Sequence, residues 1–177
     1  MSQVRTRAAQ VASVEPVWLS LARAEIGVKE IHGPNDNPTI LDYFKAAAHP
    51  EIHDDETPWC AAFVGAMLKR ANIKPSGSLA ALSYASWGQP LASPILGCVG
   101  VKKRPGAGWV GHVGFVVGAN SSTIFLLGGN TQDRVMVAAF ARKEFVGFRW
   151  PANIEIPRNL PALPTTIDDA QRDARQD

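Results

Sequence analysis

GHVGFVVGANSSTIFLLGGN, residues 111–130, reads as strand, turn and strand. Val, Ile and Phe fill two runs, HVGFVVG (112–118) and STIFLLG (122–128), and the turn-forming GANSS separates them. Three more β-rich runs flank the pair: ILGCVGV (95–101), RVMVAAF (134–140) and FVGFRW (145–150). Five short strands in succession, broken by turn residues such as GGNTQD, predict a β meander.

Before Gly88 the apolar residues recur at helical spacing. A first helix is expected from near Pro16 to Gly27, with Trp18, Leu21, Ala22 and Ile26 on one face. Asn37 caps a second, with Pro38 as its first residue and Ile40, Leu41 and Phe44 as its stripe. Thr57 caps a third that runs to about Asn72, with Phe63, Val64, Met67, Leu68 and Ala71 inward. A short helix follows from Leu79 to Trp87. Helices first and strands second predict an α+β fold, with N-terminal helices packed on a C-terminal antiparallel sheet of about five strands. Residues 1–14 read as a loose arm, 15–151 as the domain, and 152–177 as a Pro-rich and then charged tail, mobile or at most a short terminal helix.

The totals exclude several classes. The chain has 177 residues, 46% hydrophobic, with a net charge of +2. That suits one domain with an ordinary core. The positive residues are scattered rather than striped, so no nucleic-acid partner is expected. No segment reaches the roughly 20 apolar residues of a bilayer span, so no stable membrane insertion is expected. The N-terminus lacks a signal-peptide apolar run, which predicts synthesis in the cytoplasm without a signal. Cys60 and Cys98 are too few to frame a disulfide scaffold and form no C-x-x-C pair.

DDETPWCAAFV, residues 54–64, places Cys60 at a helix mouth. With Thr57 as cap, Pro58, Trp59 and Cys60 take the first three helical positions. The unpaired N–H groups there favour a thiolate, the reactive form, and can hold an oxyanion. By position alone Cys60 is equally a small buried hydrophobe. His112 supplies the second half of the chemistry. It opens a strand beside Gly111 and Gly114, where its ring can reach the sheet rim as a base for the thiol. The 52 residues between Cys60 and His112 suffice for helix, loop and strand to bring them together. A third group should fix the imidazole by accepting its other N–H. Asn130, at the end of the neighbouring strand, is the candidate, and Gln132 is the alternative.

TPWCAAFVGAMLKRANI (57–73), GHVGFVVG (111–118), FLLGGNTQDRVMV (125–137) and VGFRWP (146–151) together resemble the bacterial and phage cell-wall cysteine hydrolases, the NlpC-type peptidases and CHAP domains. The resemblance implies a papain-like fold and hydrolysis of peptidoglycan amide bonds in stem peptides or cross-links. Cys60 matches the family nucleophile, His112 its base, and Asn130 the polar third residue of CHAP domains. Gly128 stands where CHAP domains often carry Glu, which leaves a Cys-His-Asn set. Trp59-Cys60-Ala61 replaces the Asp-Cys-Ser usual in NlpC-type proteins. No clear Gln stands upstream of the cysteine in the place of an oxyanion donor.

The reading that results is a monomeric peptidoglycan hydrolase, endopeptidase or amidase, that needs no cofactor and no metal. Its rivals are an acyltransferase on the same fold and a non-catalytic wall-binding module. Expected partners are the peptidoglycan peptide and an immunity or delivery protein, with action on the wall in the periplasm or outside the cell. Trp59, Glu56, Asp55, Trp109 and Gln132 are candidate substrate contacts. The acids 54–56 could meet a free amine, hold Ca²⁺ or face solvent; they lack the spaced calcium-loop pattern. HPEIH (49–53) has Pro50 where a zinc protease needs Glu. Cys98 reads as packing.

Overall fold

A computed structural model describes residues 14–104, 106 and 110–172. Of the expected N-terminal arm only Val14 falls among them. The described chain forms helices α1 (Val17–Ala24), α2 (Pro38–Ala46) and α3 (Cys60–Arg70), and a 3₁₀ turn at Ala81–Ser86. Strands β1 (Gln89–Leu91), β2 (Val99–Lys103), β3 (Gly111–Ala119), β4 (Thr123–Thr131), β5 (Arg134–Ala141) and β6 (Phe145–Trp150) follow, then helix α4 (Ile167–Arg172). The fold is α+β.

The strands form one antiparallel six-stranded sheet in the order β1-β6-β2-β3-β4-β5. This corrects the expectation of five strands in a meander. β1 is a three-residue edge around Pro90, too short to register as a periodic run. β6 leaves the meander and returns to the far side, where it pairs with both β1 and β2. That closure is a long-range choice. Pairing β6 on β2 leaves β5 as an edge and sets β2 and β3 at the sheet's middle, with β4 between β3 and that edge.

α3 is the central helix. Every residue from Cys60 to Leu68 is buried. It packs on β3 and β4 and is covered by α1 and α2. Phe63 links these layers, with ring centroids 5.4 Å from Tyr43 of α2 and 6.4 Å from Phe115 of β3. Such edge-on aromatic contacts add to the area they bury. α1 is shorter than expected and ends at Ala24; it buries Trp18, Leu19, Ala22 and Arg23, while Ile26 lies beyond it and is exposed. Trp18 Nε1 donates to Gly97 O at 2.7 Å and so ties α1 to the entry of β2. In α2 the expected cap is present: the Asn37 side chain accepts from Thr39 N–H, with Pro38 next in the chain.

The segment read as a mobile tail lies against the domain. Ala119 N–H donates to Pro164 O at 2.9 Å, and Ala170 is fully buried. Leu160, Leu163 and Ile167 pack on the core. The prolines shape an extended strap whose few apolar residues find pockets, a match that composition does not reveal.

Candidate active site

The N-terminus of α3 starts later than the sequence suggested. Trp59 is the residue before the helix and Cys60 the first helical residue. The cause lies upstream. Asp54 Oδ1 accepts from Thr57 N–H at 2.7 Å and from Thr57 Oγ1 at 2.9 Å. Thr57 is thus held by an Asp turn and does not cap the helix. The free N–H groups of Cys60 and Ala61 then sit at the sulfur itself rather than one turn away.

His112 lies at the start of β3, across from Lys102 of β2. Cys60 and His112 line one cavity of about 470 Å³, together with Thr131 and Gln132. His112 Nε2 is 3.1 Å from Thr131 Oγ1. Its ring also packs 5.6 Å from that of Phe140.

Asn130 sits where the strand logic placed it and lines the same cavity, but its amide bonds elsewhere. Continuing the Phe115–Leu127 pairing by three residues puts Asn130 across from His112. Yet Asn130 has φ +55, and the β4–β5 register shifts between Gly128 and Thr131. This left-handed step breaks the alternation of side chains. Asn130 Nδ2 donates to Glu30 Oε1 at 2.7 Å, and Thr131 takes the place beside the imidazole. Gln132 and Asp133 form the two-residue β4–β5 turn, with φ +50 and +58. Both left-handed residues are uncommon choices, and they present Gln132 at the cavity wall.

Two adjacent glycines make the site possible. A Cβ at Gly128 would stand 3.0 Å from His112 Nε2, so the imidazole lies where a side chain would be. A Cβ at Gly129 would come within 2.4 Å of the Trp59 indole. One glycine seats the His112 imidazole, and the next seats Trp59, the residue before Cys60.

Glu30 is the residue that sequence reasoning passed over. It is 8% exposed, and its Oε1 accepts from Trp59 Nε1 and Asn130 Nδ2, both at 2.7 Å. It therefore joins the entry of α3 to the end of β4, which carries Thr131. Burial raises its pKa; the Trp59 N–H opposes this, and Asp133 and Asp55 add to it. The only local signal was a charge in a segment that lies between helices.

Burial pushes the Cys60 thiol up, against the backbone N–H groups of Val113, Ala61 and Cys60, which pull it down. The expectation of a lowered thiol pKa at a helix mouth is thus reversed by desolvation. Burial, then the positive charges of Lys102 and Arg104, push His112 down to about 4. The pair rests as neutral thiol and neutral imidazole. Cys98, fully buried in the core, is pushed up to about 12 by the same cause.

The remaining candidates separate. Trp59 is fully buried, with its indole N–H on Glu30, so it supports the site rather than lining it. Asp55 is also fully buried, and its Oδ2 accepts from Ile31 and Asn37 N–H at 2.9 and 2.8 Å. It organises the 31–37 loop and faces no substrate space. Glu56 is exposed and is absent from the cavity wall. Trp109 lies outside the described residues. Among the described residues no cluster of three or more His, Cys, Asp or Glu is arranged to hold a metal. No helix there is long and apolar enough to cross a membrane.

No protein-family model, curated protein or solved structure matches this chain.

Proposed function

We propose that this protein is a cysteine amidohydrolase with a papain-like arrangement, acting on peptide stems or cross-links of peptidoglycan. The observation that carries the proposal is the shared cavity, where the first residue of α3 offers a thiol and the second residue of β3 an imidazole. The likeness of residues 57–73, 111–118 and 125–137 to cell-wall cysteine hydrolases supplies the substrate class. Gly128 departs from the Glu frequent in that group, and here the imidazole fills its space.

We assign His112 the tautomer protonated at Nε2, which donates to Thr131 Oγ1 across the 3.1 Å contact and leaves Nδ1 as the basic nitrogen. Nδ1 takes the Cys60 proton as sulfur attacks the amide carbonyl. Because both partners rest neutral, proton transfer and attack coincide; no standing thiolate is stored. The oxyanion meets the backbone N–H groups at the start of α3. The imidazolium protonates the leaving amine, and the thioester is then opened by a water that gives His112 its proton. Thr131 holds the ring without charge, so it orients the imidazolium more than it stabilises it.

The test is digestion of purified sacculi, with the released fragments identified by mass spectrometry. New amine and carboxyl ends should appear with the wild-type chain and vanish with Cys60→Ala, while Cys98→Ser retains them. Unchanged digestion by Cys60→Ala would remove the thiol from the mechanism. Transfer of the acyl group to an added amine in preference to water would make the protein an acyltransferase.

A further inference from the structure

We propose that Arg104 binds a carboxylate on the acyl substrate, so that the enzyme selects peptides carrying a free acid near the scissile amide. The inference rests on the amidohydrolase reading and specifies its substrate.

Two cations, Lys102 and Arg104, line the cavity that holds Cys60 and His112, and no Asp or Glu is among the lining residues described. Lys102 is already engaged. Its Nζ pairs with Glu144 at 2.8 Å and lies 4.3 Å from the Phe140 ring centroid. Arg104 is exposed, and its backbone N–H donates to Val110 O at 2.9 Å. Its guanidinium makes no hydrogen bond or ion pair with a described residue. Among the described residues the cavity therefore keeps one uncompensated positive charge. A planar guanidinium fork is matched to a carboxylate by two parallel hydrogen bonds, so an acid fits there better than a neutral amide.

The nearby acids point the same way. Asp55 is buried under the 31–37 loop and Glu56 stays off the cavity wall, so nothing described there awaits a substrate amine. The charge of Arg104 also reaches the imidazole, since it is one of the causes that lower the His112 pKa. A bound carboxylate would cancel part of that field and make His112 a stronger base when the right substrate is seated. Binding and proton abstraction would thus be coupled through one side chain.

Alkylation of Cys60 tests the site without requiring hydrolysis. Iodoacetate and iodoacetamide undergo the same displacement, in which sulfur takes the CH₂ carbon, iodide leaves and the thiol proton is lost. One carries a carboxylate and the other a neutral carboxamide, so each rate is divided by that of free cysteine to remove the difference in intrinsic reactivity. Intact-mass kinetics at pH 7 and low salt should show iodoacetate favoured in the full-length wild-type chain. The iodoacetate-to-iodoacetamide ratio should fall about fivefold or more in Arg104→Gln, the weakest figure for a unit charge pair at 4 Å in water. It should fall further in Arg104→Glu, and 0.5 M NaCl should flatten the difference. An unchanged ratio in both variants overturns the proposal, as does failure of iodoacetate to label wild-type Cys60. A second arm compares a free-acid stem peptide with its amidated twin, where Arg104→Gln should reduce the preference for the acid. If wild type cleaves neither peptide, the amidohydrolase reading falls, while the alkylation ratio still decides whether Arg104 holds an anion.

Discussion

His112 should make this protein acid-sensitive in a defined window. Its imidazole is pushed from the ordinary 6.5 to about 4, first by burial and then by Lys102 and Arg104. The folded-state value lies below the unfolded one. Below pH 6.5 the unfolded chain takes up a proton that the folded chain refuses, so stability is lost as pH falls from 6.5 and levels off near 4. At 1.36 kcal/mol per pH unit the full loss is about 3 kcal/mol, of which about 2 kcal/mol is gone by pH 5. The ring is part-buried at a cavity open to water, so these are upper figures. The perturbation is His112→Gln, which cannot titrate. Urea unfolding of both chains at pH 7.5, 6.5, 5 and 4 gives two stability curves, and their difference removes the other titrating groups. Loss of the Thr131 contact in the variant is constant with pH and drops out of the slope. Wild type should lose stability relative to His112→Gln across the window. Parallel curves would refute a neutral, desolvated imidazole. A wild type that gains on acidification would mean that His112 is held charged.

Thr131→Val should keep the fold and lower turnover about tenfold, the worth of one orienting hydrogen bond of roughly 1–1.5 kcal/mol. Asn130→Gly accepts φ +55 without strain, so it should cost stability through the lost Glu30 contact and cost less turnover than Thr131→Val; the reverse order in steady-state assays would return the orienting role to Asn130. Glu30→Ala strands the buried Trp59 indole N–H and frees Asn130, so denaturant unfolding should show a loss of about 2–3 kcal/mol; a loss below 0.5 kcal/mol would mean that water reaches both donors. Gly129→Ala should be destabilised by roughly 1–3 kcal/mol, because its new methyl meets the Trp59 ring and the Phe63 Cβ, and a calorimetric scan that shows wild-type stability would contradict that packing.

The sequence by itself determined the classes of element and their order. Short runs of Val, Ile, Phe and Leu in 112–118 and 122–128, bounded by turn residues, made strands, and both of their faces are buried. Helical spacing and the Asn37-Pro38 cap placed the α2 start, and the same spacing marked an apolar helix beginning near Cys60. These signals are local, and so they survive without knowledge of neighbours. What only the tertiary structure decided was non-local. β6 pairs with β2 and not with β5, its neighbour in sequence, and no dipeptide encodes that choice. Asn130 turned toward Glu30, a hundred residues away in sequence, because a left-handed step and a buried carboxylate act together. The pKa values moved opposite to the helix-mouth argument for Cys60, since desolvation depends on everything packed around the sulfur. Spacing showed which residues could meet. Burial and backbone handedness settled that Thr131, rather than Asn130, stands beside the imidazole.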